Sequence, residues 1–430
     1  MLLDPLLTGT GILYHLLHLR KNQWKSLQDL RWIQRRRLKT TIQHAYDYVP
    51  YYHQLFKSAG IKPYNIKDFD DLKKIPITTK TEIHSNLSNM LVKGVDPSKH
   101  NISYTSGSTG IPAKIVKDQK TYYYSRALMA YAVMECGVGL RDKFVKIGRF
   151  HSFDYTPNQI SIPSPTESQD LALTASLLRR IRPDAIYTMP SVITNLCTVD
   201  TSGIEPKLIF TNGSTLTQHT RHLAKSTFGI DINDTYGSVE FNRLAFECNE
   251  HAGMHMITDC AIMEFLNEGE QVSPGETGEI VVTGLSNRAM PLIRYALGDL
   301  GVPSDETCSC GRKWPLLKRI EGRTRDILTL ESGRRIYPAF LYRCLREELL
   351  IREHPFCVSQ FQFVQEKRNK LVLKVVRGSQ FDIKVLNRIK QNIDAHFAKI
   401  GEEVTSEIRV IKEIPIESSG KRKTIVSLGE

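Results

Sequence analysis

The pattern of apolar and polar positions gives the middle of the chain an alternating character. Short apolar runs bounded by turn residues are separated by longer segments whose apolar positions recur at helical spacing. Such alternation predicts an α/β domain with a substantially parallel sheet. The predicted strands are AIYTM (185–189), KLIFT (207–211) and GEIVVTG (278–284), and the predicted helices are TYYYSRALMAYAVMEC (121–136) and LALTASLLRRI (171–181).

The pattern changes after GRTRDIL, residues 322–328. We therefore predict two domains: a large α/β domain with several subdomains, residues 1–324, and a small α+β domain, residues 325–430. In the small domain the pattern predicts a helix, a β-hairpin, an amphipathic helix and a last strand, at 338–350, 356–378, 381–400 and 406–414.

The N-terminal segment, residues 1–20, is apolar in places but interrupted by Asp4 and Pro5. It lacks the basic start and the small-residue cleavage site of a signal peptide, and it is too polar to span a bilayer. We expect a short helix that either packs on the protein or lies against a membrane surface. The next helical segment carries the basic cluster Arg35 to Arg37, which we interpret as a solvated helix face.

Composition limits the classes of partner and compartment. The formal net charge of +12 favours anions, but nucleic acid, anionic lipid, nucleotides and coenzyme A all qualify. An apolar fraction of 41% is enough to bury real cores and argues against global disorder. The eight cysteines include one close pair, and without an export signal they predict a reducing, cytoplasmic location rather than a disulfide framework.

The segment with the strongest chemical signal is YTSGSTGIPAKIV, residues 104–116. Its glycines let the backbone approach a ligand closely, and backbone N–H groups in such a turn suit phosphate oxygens. It is not a Walker P-loop, because G-x-x-x-x-G-K-[ST] is absent. The candidate phosphate-binding residues are Ser106, Gly107, Ser108, Thr109, Gly110 and Lys114.

This loop resembles the phosphate-binding loop of the adenylate-forming superfamily of acyl-CoA synthetases, luciferases and peptide-synthetase adenylation domains. With HAYDYVPYYHQLFKSAGI and IPITTK in its N-terminal part, the chain is most similar to the phenylacetate–CoA ligase branch and its capsule-biosynthesis relatives. The match continues in order along the whole chain. The resemblance implies an AMP-binding adenylation domain at 1–324 and a mobile lid domain at 325–430.

The resemblance also implies roles for single residues. In NDTYGSVEFN (233–242), Tyr236 would stack on adenine beside Gly237, and Glu240 would serve magnesium, which prefers carboxylate and phosphate oxygens. In PLIRYALGDL (291–300), Asp299 would hold the ribose hydroxyls. The other implied nucleotide-binding residues are Asn212, Gly213, Ser214 and Arg323, and the implied catalytic residues are Thr105, Glu240 and Lys421.

Lys421 lies in IPIESSGKRK, which resembles the final motif of the family. A lysine there would contact carboxylate and phosphate, because their approach during adenylation concentrates negative charge. At the hinge the chain departs from the family pattern, since Arg325 stands in place of an aspartate before Asp326. That departure leaves the chemistry of the hinge open, but not the boundary.

The close cysteine pair in CSCGR (308–312) predicts a zinc site together with ECNEHAGMH (247–255). Structural zinc takes four nitrogen or sulfur ligands in a closed tetrahedron. Cys248, Cys308, Cys310 and one histidine would complete such a set. The resemblance favours His255, with His251 as the second choice, and buried free thiols are the alternative interpretation.

By resemblance, the chain activates a carboxylic acid, aryl or acyl, to an acyl-adenylate with ATP and Mg²⁺ and passes it to a thiol, that of coenzyme A above all. Other acceptors stay open: a carrier protein, an amine of a surface-polysaccharide precursor, or a cofactor that accepts the nucleotidyl group. A non-catalytic nucleotide-binding scaffold is the interpretation from another class. The acid pocket is expected between about Phe150 and Pro190, no nucleic-acid partner is expected, and a homodimer would suit the branch.

Overall fold

The computed structural model describes residues 5–105, 113–148, 158–165, 168–352, 354–415 and 422–428. Its α-helices are α1 (Pro5–Asn22), α2 (Leu27–Tyr48), α3 (Pro50–Ser58), α4 (Lys80–Ser85), α5 (Gln119–Glu135), α6 (Ser168–Ile181), α7 (Pro190–Leu196), α8 (Gln218–Phe228), α9 (Pro338–Arg346) and α10 (Ile383–Lys399). Its strands are β1 (Asn101–Tyr104), β2 (Lys114–Lys117), β3 (Phe144–Ile147), β4 (Gln159–Ile162), β5 (Ala185–Thr188), β6 (Leu208–Thr211), β7 (Ile232–Ser238), β8 (Asn242–Glu247), β9 (Met254–Met256), β10 (Ala261–Asn267), β11 (Glu270–Gln271), β12 (Gly278–Gly284), β13 (Tyr295–Ser304), β14 (Leu316–Arg323), β15 (Leu328–Thr329), β16 (Arg335–Ile336), β17 (Val358–Lys367), β18 (Lys370–Arg377), β19 (Thr405–Ile411) and β20 (Ile425–Val426).

The chain forms two compact units, each built from two separate segments. The first unit, Met1–Gly137 with Thr235–Ile320, contains a sheet in the order β11-β10-β12-β13-β14-β9-β8, which ends on the second half of β7. The segment predicted as a strand at 278–284 is β12, but both of its neighbours run antiparallel to it. The expectation of a parallel sheet is therefore wrong for this strand.

The helix expected at the N-terminus is α1, which packs along α5 in the first unit. The helices lie close at Gly11, where a Cβ atom would approach the ring of Tyr123 to 2.8 Å. On α2 and α3, buried side chains such as Ile42 and Phe56 pack in one core with Ile293. No helix within the described ranges is long and apolar enough to cross a membrane.

The second unit, Val138–Asp234 with Glu321–Glu430, holds the parallel strands that the alternating pattern predicts. Their order is β4-β3-β5-β6, followed by the first half of β7. All four residues of β3 and of β5 are buried. Strands covered on both faces read as continuous apolar runs, which is why the sequence pattern identified β5 and β6.

The C-terminal part of this unit contains a four-stranded sheet in the order β19-β18-β17-β20. The predicted hairpin is β17 and β18, the predicted amphipathic helix is α10, and the predicted last strand is β19. β19 runs parallel to β18, and β20, which the pattern did not predict, runs parallel to β17. The domain boundary at residue 324 stays a prediction.

Candidate active site and candidate metal centre

Hydrogen bonds join the residues on either side of the predicted phosphate loop. β1 and β2 are antiparallel, with Tyr104 opposite Lys114. The backbone N–H of Thr105 donates to the carbonyl of Ala113 at 3.0 Å, and the Thr105 hydroxyl accepts from the Ala113 N–H at 2.8 Å. Thr105 therefore ties the ends of the loop together. Ser106, Gly107, Ser108, Thr109, Gly110 and, near the C-terminus, Lys421 lie outside the described residues.

Two hydrogen bonds join the motifs at 233–242 and 291–300. The hydroxyl of Tyr236 donates to Oδ2 of Asp299 at 2.8 Å. The hydroxyl of Tyr295 donates to Oε1 of Glu240 at 3.0 Å. Each motif thus supplies one tyrosine and one carboxylate, so the orientation of each carboxylate depends on the other motif.

The turn that carries Glu240 can form only with glycine at position 237. A Cβ atom there would lie 1.9 Å from the carbonyl oxygen of Asn242, far inside van der Waals contact. Asn242 itself has φ of +61° at the start of β8. Gly237 is therefore required by the close approach of β7 and β8, whatever further role it has toward a nucleotide.

A residue that sequence reasoning missed supports this turn. Lys117, at the end of β2, is 4% exposed, and its ammonium donates to the carbonyl of Val239 at 2.7 Å and to Oδ1 of Asn242 at 3.0 Å. Burial lowers the pKa of Lys117 from 10.5 to about 8, while the nearby charge of Glu240 acts in the opposite direction. Lys117 thus holds the chain just before and just after Glu240, and so positions the turn that carries this carboxylate.

Arg294, directly before Tyr295, has a structural role. Its guanidinium bonds both oxygens of Glu264, at 3.0 and 3.2 Å, and it also donates to the carbonyl of Ile75 at 2.7 Å. Arg294 has φ of +47°, and its own carbonyl accepts from the N–H of Thr78 at 2.8 Å. This network fixes the backbone where β13 begins.

In the second unit, the turn that holds the implied nucleotide-binding residues 212–214 lies next to the C-terminal end of the segment expected to form the acid pocket. The N–H of Asn212 donates to the carbonyl of Thr188 at 3.2 Å. Gly213 has φ of +89°, and a Cβ atom there would lie 3.7 Å from Cγ of Met189. Ser214 follows in the same turn and is half-buried, whereas Phe150, at the other end of the predicted pocket, is not among the described residues.

At the predicted hinge, the turn Thr324–Asp326 is closed by Asp326 and not by residue 325. Oδ2 of Asp326 accepts from the backbone N–H of Arg323 at 3.0 Å. The Arg325 guanidinium lies 3.9 Å from the same carboxylate group, and its carbonyl accepts from the Ser427 hydroxyl at 2.7 Å. The departure at residue 325 therefore leaves the closure of this turn to Asp326.

The four predicted zinc ligands lie together in the first unit. One ligand atom from each of Cys248, His255, Cys308 and Cys310 lies within 4.8 Å of all the others. The Cys248 and Cys308 sulfurs are 3.6 Å apart, and Nε2 of His255 is 3.3 Å from the Cys310 sulfur. His251 is not in this cluster; its Nδ1 lies 3.6 Å from the carboxylate of Glu247.

The surroundings of this cluster suit a soft divalent metal. Burial lowers the pKa of His255 to about 4, so the imidazole is neutral, as a metal ligand must be. Although burial opposes ionisation of the Cys310 thiol, hydrogen bonds from the backbone and guanidinium of Arg312 hold the pKa of that thiol below its usual value. Arg312 is itself fixed by Glu135 at 3.0 Å and Gln23 at 2.6 Å. Three sulfurs and one nitrogen are a donor set that zinc prefers.

Comparison with known proteins gives matches along most of the chain. Residues 345–428 match the family model of the CapK C-terminal domain. The phenylacetate-coenzyme A ligase of Thermus thermophilus is 27% identical over 88% of this chain and 85% of its own length. The phenylacetate-coenzyme A ligase of Escherichia coli K12 is 28% identical over 76% of this chain and 78% of its own length.

The fold also has a solved counterpart. The crystal structure of 2-hydroxyisobutyryl-CoA ligase in the postadenylation state superimposes with a TM-score of 0.80 and covers 95% of this chain and 91% of that one. At 18% identity this similarity concerns the fold. It establishes the mixed α/β architecture with a larger N-terminal part and a smaller C-terminal part.

Proposed function

We propose that this chain is a member of the phenylacetate–CoA ligase-like branch of the adenylate-forming enzymes, and that it activates a carboxylic acid with ATP and transfers the acyl group to coenzyme A. The observation that carries the proposal is the pairing of Tyr236 with Asp299 and of Tyr295 with Glu240. It brings a buried aromatic ring and two oriented carboxylates together from separate motifs.

In the first half-reaction, a carboxylate oxygen of the acid attacks the α-phosphorus of ATP, and the bond from phosphorus to the pyrophosphate oxygen breaks. Tyr236 packs on adenine, and Asp299 accepts hydrogen bonds from the ribose hydroxyls. Glu240 would hold Mg²⁺, which would supply positive charge against the phosphate oxygens. Lys421 and the loop 106–110 are assigned to the reacting carboxylate and phosphates by resemblance, with Thr105 closing the loop.

In the second half-reaction, the thiolate sulfur of coenzyme A attacks the acyl carbon, and AMP leaves with its phosphate oxygen. The thiol proton passes to solvent. The adenine ring is also contacted by Asn212, Gly213 and Ser214. Arg323 faces the nucleotide. The small domain turns at residues 325–326 between the two halves.

We assign structural zinc to Cys248, His255, Cys308 and Cys310. The ion would join the loop after β8, strand β9 and the loop between β13 and β14, and it takes no part in the reaction. Coordination needs reduced thiols, which agrees with the prediction of a cytoplasmic location. A homodimer stays a prediction, as does the expectation of no nucleic-acid partner.

The proposal is tested by incubating the protein with ATP, Mg²⁺, coenzyme A and a panel of aryl and aliphatic acids. Mass spectrometry should detect one or more acyl-CoA thioesters together with AMP. Formation of an acyl-adenylate without a thioester would move the proposal to another acceptor. Absence of both products with every acid, alongside intact ATP binding, would support the scaffold instead.

A further inference from the structure

A basic cavity of about 340 Å³ lies between α1 and α2, and none of its residues has a role in the proposed reaction. α1 contributes Lys21 from its last turn, and α2 contributes Arg36 and Arg37 from the cluster that we interpreted as a solvated face. Arg288 contributes a further charge from the loop before β13. The titratable side chains that line the cavity are His18, Lys21, Lys25, Arg36, Arg37 and Arg288.

Most of these charges lack an internal counterion. Asp259 is buried and lies 3.5 Å from the Arg37 guanidinium, so it offsets that one charge. In the described part of the chain, no carboxylate forms an ion pair with the other cavity-lining cations, which are Lys21, Lys25, Arg36 and Arg288. Like charges gathered in one concavity repel one another, and an anionic ligand relieves that repulsion.

Large apolar side chains are exposed on the two helices that border the cavity. Trp32 lines it and is 60% exposed, with the Arg36 guanidinium 5.8 Å from its ring centre. The ring of Tyr14, 55% exposed, lies 4.5 Å from that of His18. Leu13 and Leu17 are 55% and 58% exposed on the same helix. Tryptophan and tyrosine beside basic residues are typical of the boundary between water and lipid.

We propose that this face of α1 and α2 docks on an anionic phospholipid membrane. The cavity receives a phosphate headgroup, and Trp32, Tyr14, Leu13 and Leu17 enter the interfacial layer. A soluble phosphate compound would account for the cations, but not for the exposed Trp32 in the cavity wall or for the exposed Tyr14, Leu13 and Leu17 on α1. Acyl transfer would then take place at a membrane surface, which goes beyond the proposed function.

The test uses the full chain and vesicles of phosphatidylcholine alone or of equal parts phosphatidylcholine and phosphatidylglycerol. The protein should sediment with the anionic vesicles only, and added salt should weaken binding. Lys21→Gln with Lys25→Gln should weaken the apparent affinity roughly 30-fold, since each basic residue near the surface contributes about a factor of 5. Trp32→Ala should weaken it without changing the charge.

The matched control is Lys57→Gln with Lys93→Gln, which removes the same charge from exposed positions that do not line the cavity. This variant should bind almost as wild type. All variants should keep acid-dependent ATP–pyrophosphate exchange, which verifies that they are folded. The proposal would be overturned if the protein bound neutral and anionic vesicles equally, or if the control variant lost as much affinity for anionic vesicles. It would also be overturned if the protein bound inorganic pyrophosphate through Lys21 and Lys25 but bound no vesicles.

Discussion

The hydroxyl of Tyr236 donates a hydrogen bond to Oδ2 of Asp299 across 2.8 Å, and both side chains are buried. The two residues are 63 positions apart and lie on β7 and β13. Because the proposed roles place adenine on one and ribose on the other, a single bond connects both supports of the nucleoside. The affinity for ATP should therefore depend on this pair as a unit.

Tyr236→Phe keeps the ring and removes the bond, so we expect the KM for ATP to rise about 5-fold. Asp299→Ala also removes the acceptor for the ribose hydroxyls and should lower kcat/KM roughly 100-fold. The kinetics of acid-dependent ATP–pyrophosphate exchange, measured at varied ATP concentration, give both effects. Tyr64→Phe, at a side chain that is 69% exposed, is the control. An unchanged KM in the Tyr236 variant would remove the nucleoside role from this pair.

Glu240→Gln should raise the Mg²⁺ concentration needed for half-maximal exchange, because a neutral amide is a weaker ligand for a hard cation. Tyr295→Phe should raise it about 10-fold through the lost hydrogen bond that orients the carboxylate. Mg²⁺ titrations at saturating ATP separate this effect from ATP binding. If both variants have the wild-type midpoint, the magnesium site lies elsewhere.

Apolar periodicity predicts that a segment forms a strand, but it predicts neither the direction of the strand nor the existence of very short strands. Periodicity identified β12 as a strand, but strand direction depends on its neighbours, and both run antiparallel to it. β20 was not predicted, because two residues are too few to show any period.

Sequence motifs identified the candidate residues, but they did not identify the hydrogen bonds between those residues. The motif spacing could not show that Tyr295 holds Glu240, because that bond joins residues 55 positions apart. Lys117 in KIVK is indistinguishable in sequence from a solvated strand end. Its burial follows from the position of the turn at 239–242 against β2, which is a tertiary contact.

The pKa of Lys117 predicts a pH dependence of stability. Between pH 8 and 10.5 the unfolded lysine binds a proton that the folded one has released, so the contribution of this group to the unfolding free energy increases with pH. Relative to Lys117→Met, wild type should gain up to roughly 3 kcal/mol across this window. Chemical denaturation at both ends measures the difference, in which other titrating groups cancel. If the unfolding free energies of wild type and Lys117→Met change equally with pH, the pKa of Lys117 is not lowered in the folded protein.

Purified protein should contain about one zinc per chain. Cys308→Ser should abolish metal binding and lower Tm by at least about 5 °C, while Cys197→Ser, at a half-buried thiol outside the cluster, should do neither. Elemental analysis and thermal unfolding are the measurements. Metal content well below one per chain in the wild type would favour the interpretation as buried free thiols.

Asn195 on α7 links this helix to the C-terminal part of the chain. Its Oδ1 accepts from Arg422 at 3.2 Å and from Gln360 at 3.4 Å. Because Arg422 follows Lys421 directly, Asn195→Ala should lower exchange about 5-fold yet leave thioester formation from a supplied acyl-adenylate unchanged. Ser191→Ala on the same helix is the control. Equal loss in both half-reactions would indicate a merely structural contact.

Exchange of radiolabelled pyrophosphate into ATP, measured without coenzyme A across a panel of carboxylic acids, isolates acid activation from acyl transfer. We expect exchange that requires Mg²⁺ and at least one acid, and Asp299→Ala and Lys421→Ala should each strongly reduce it. Exchange that is absent with every acid, in a protein that binds ATP, would contradict acid activation by this chain.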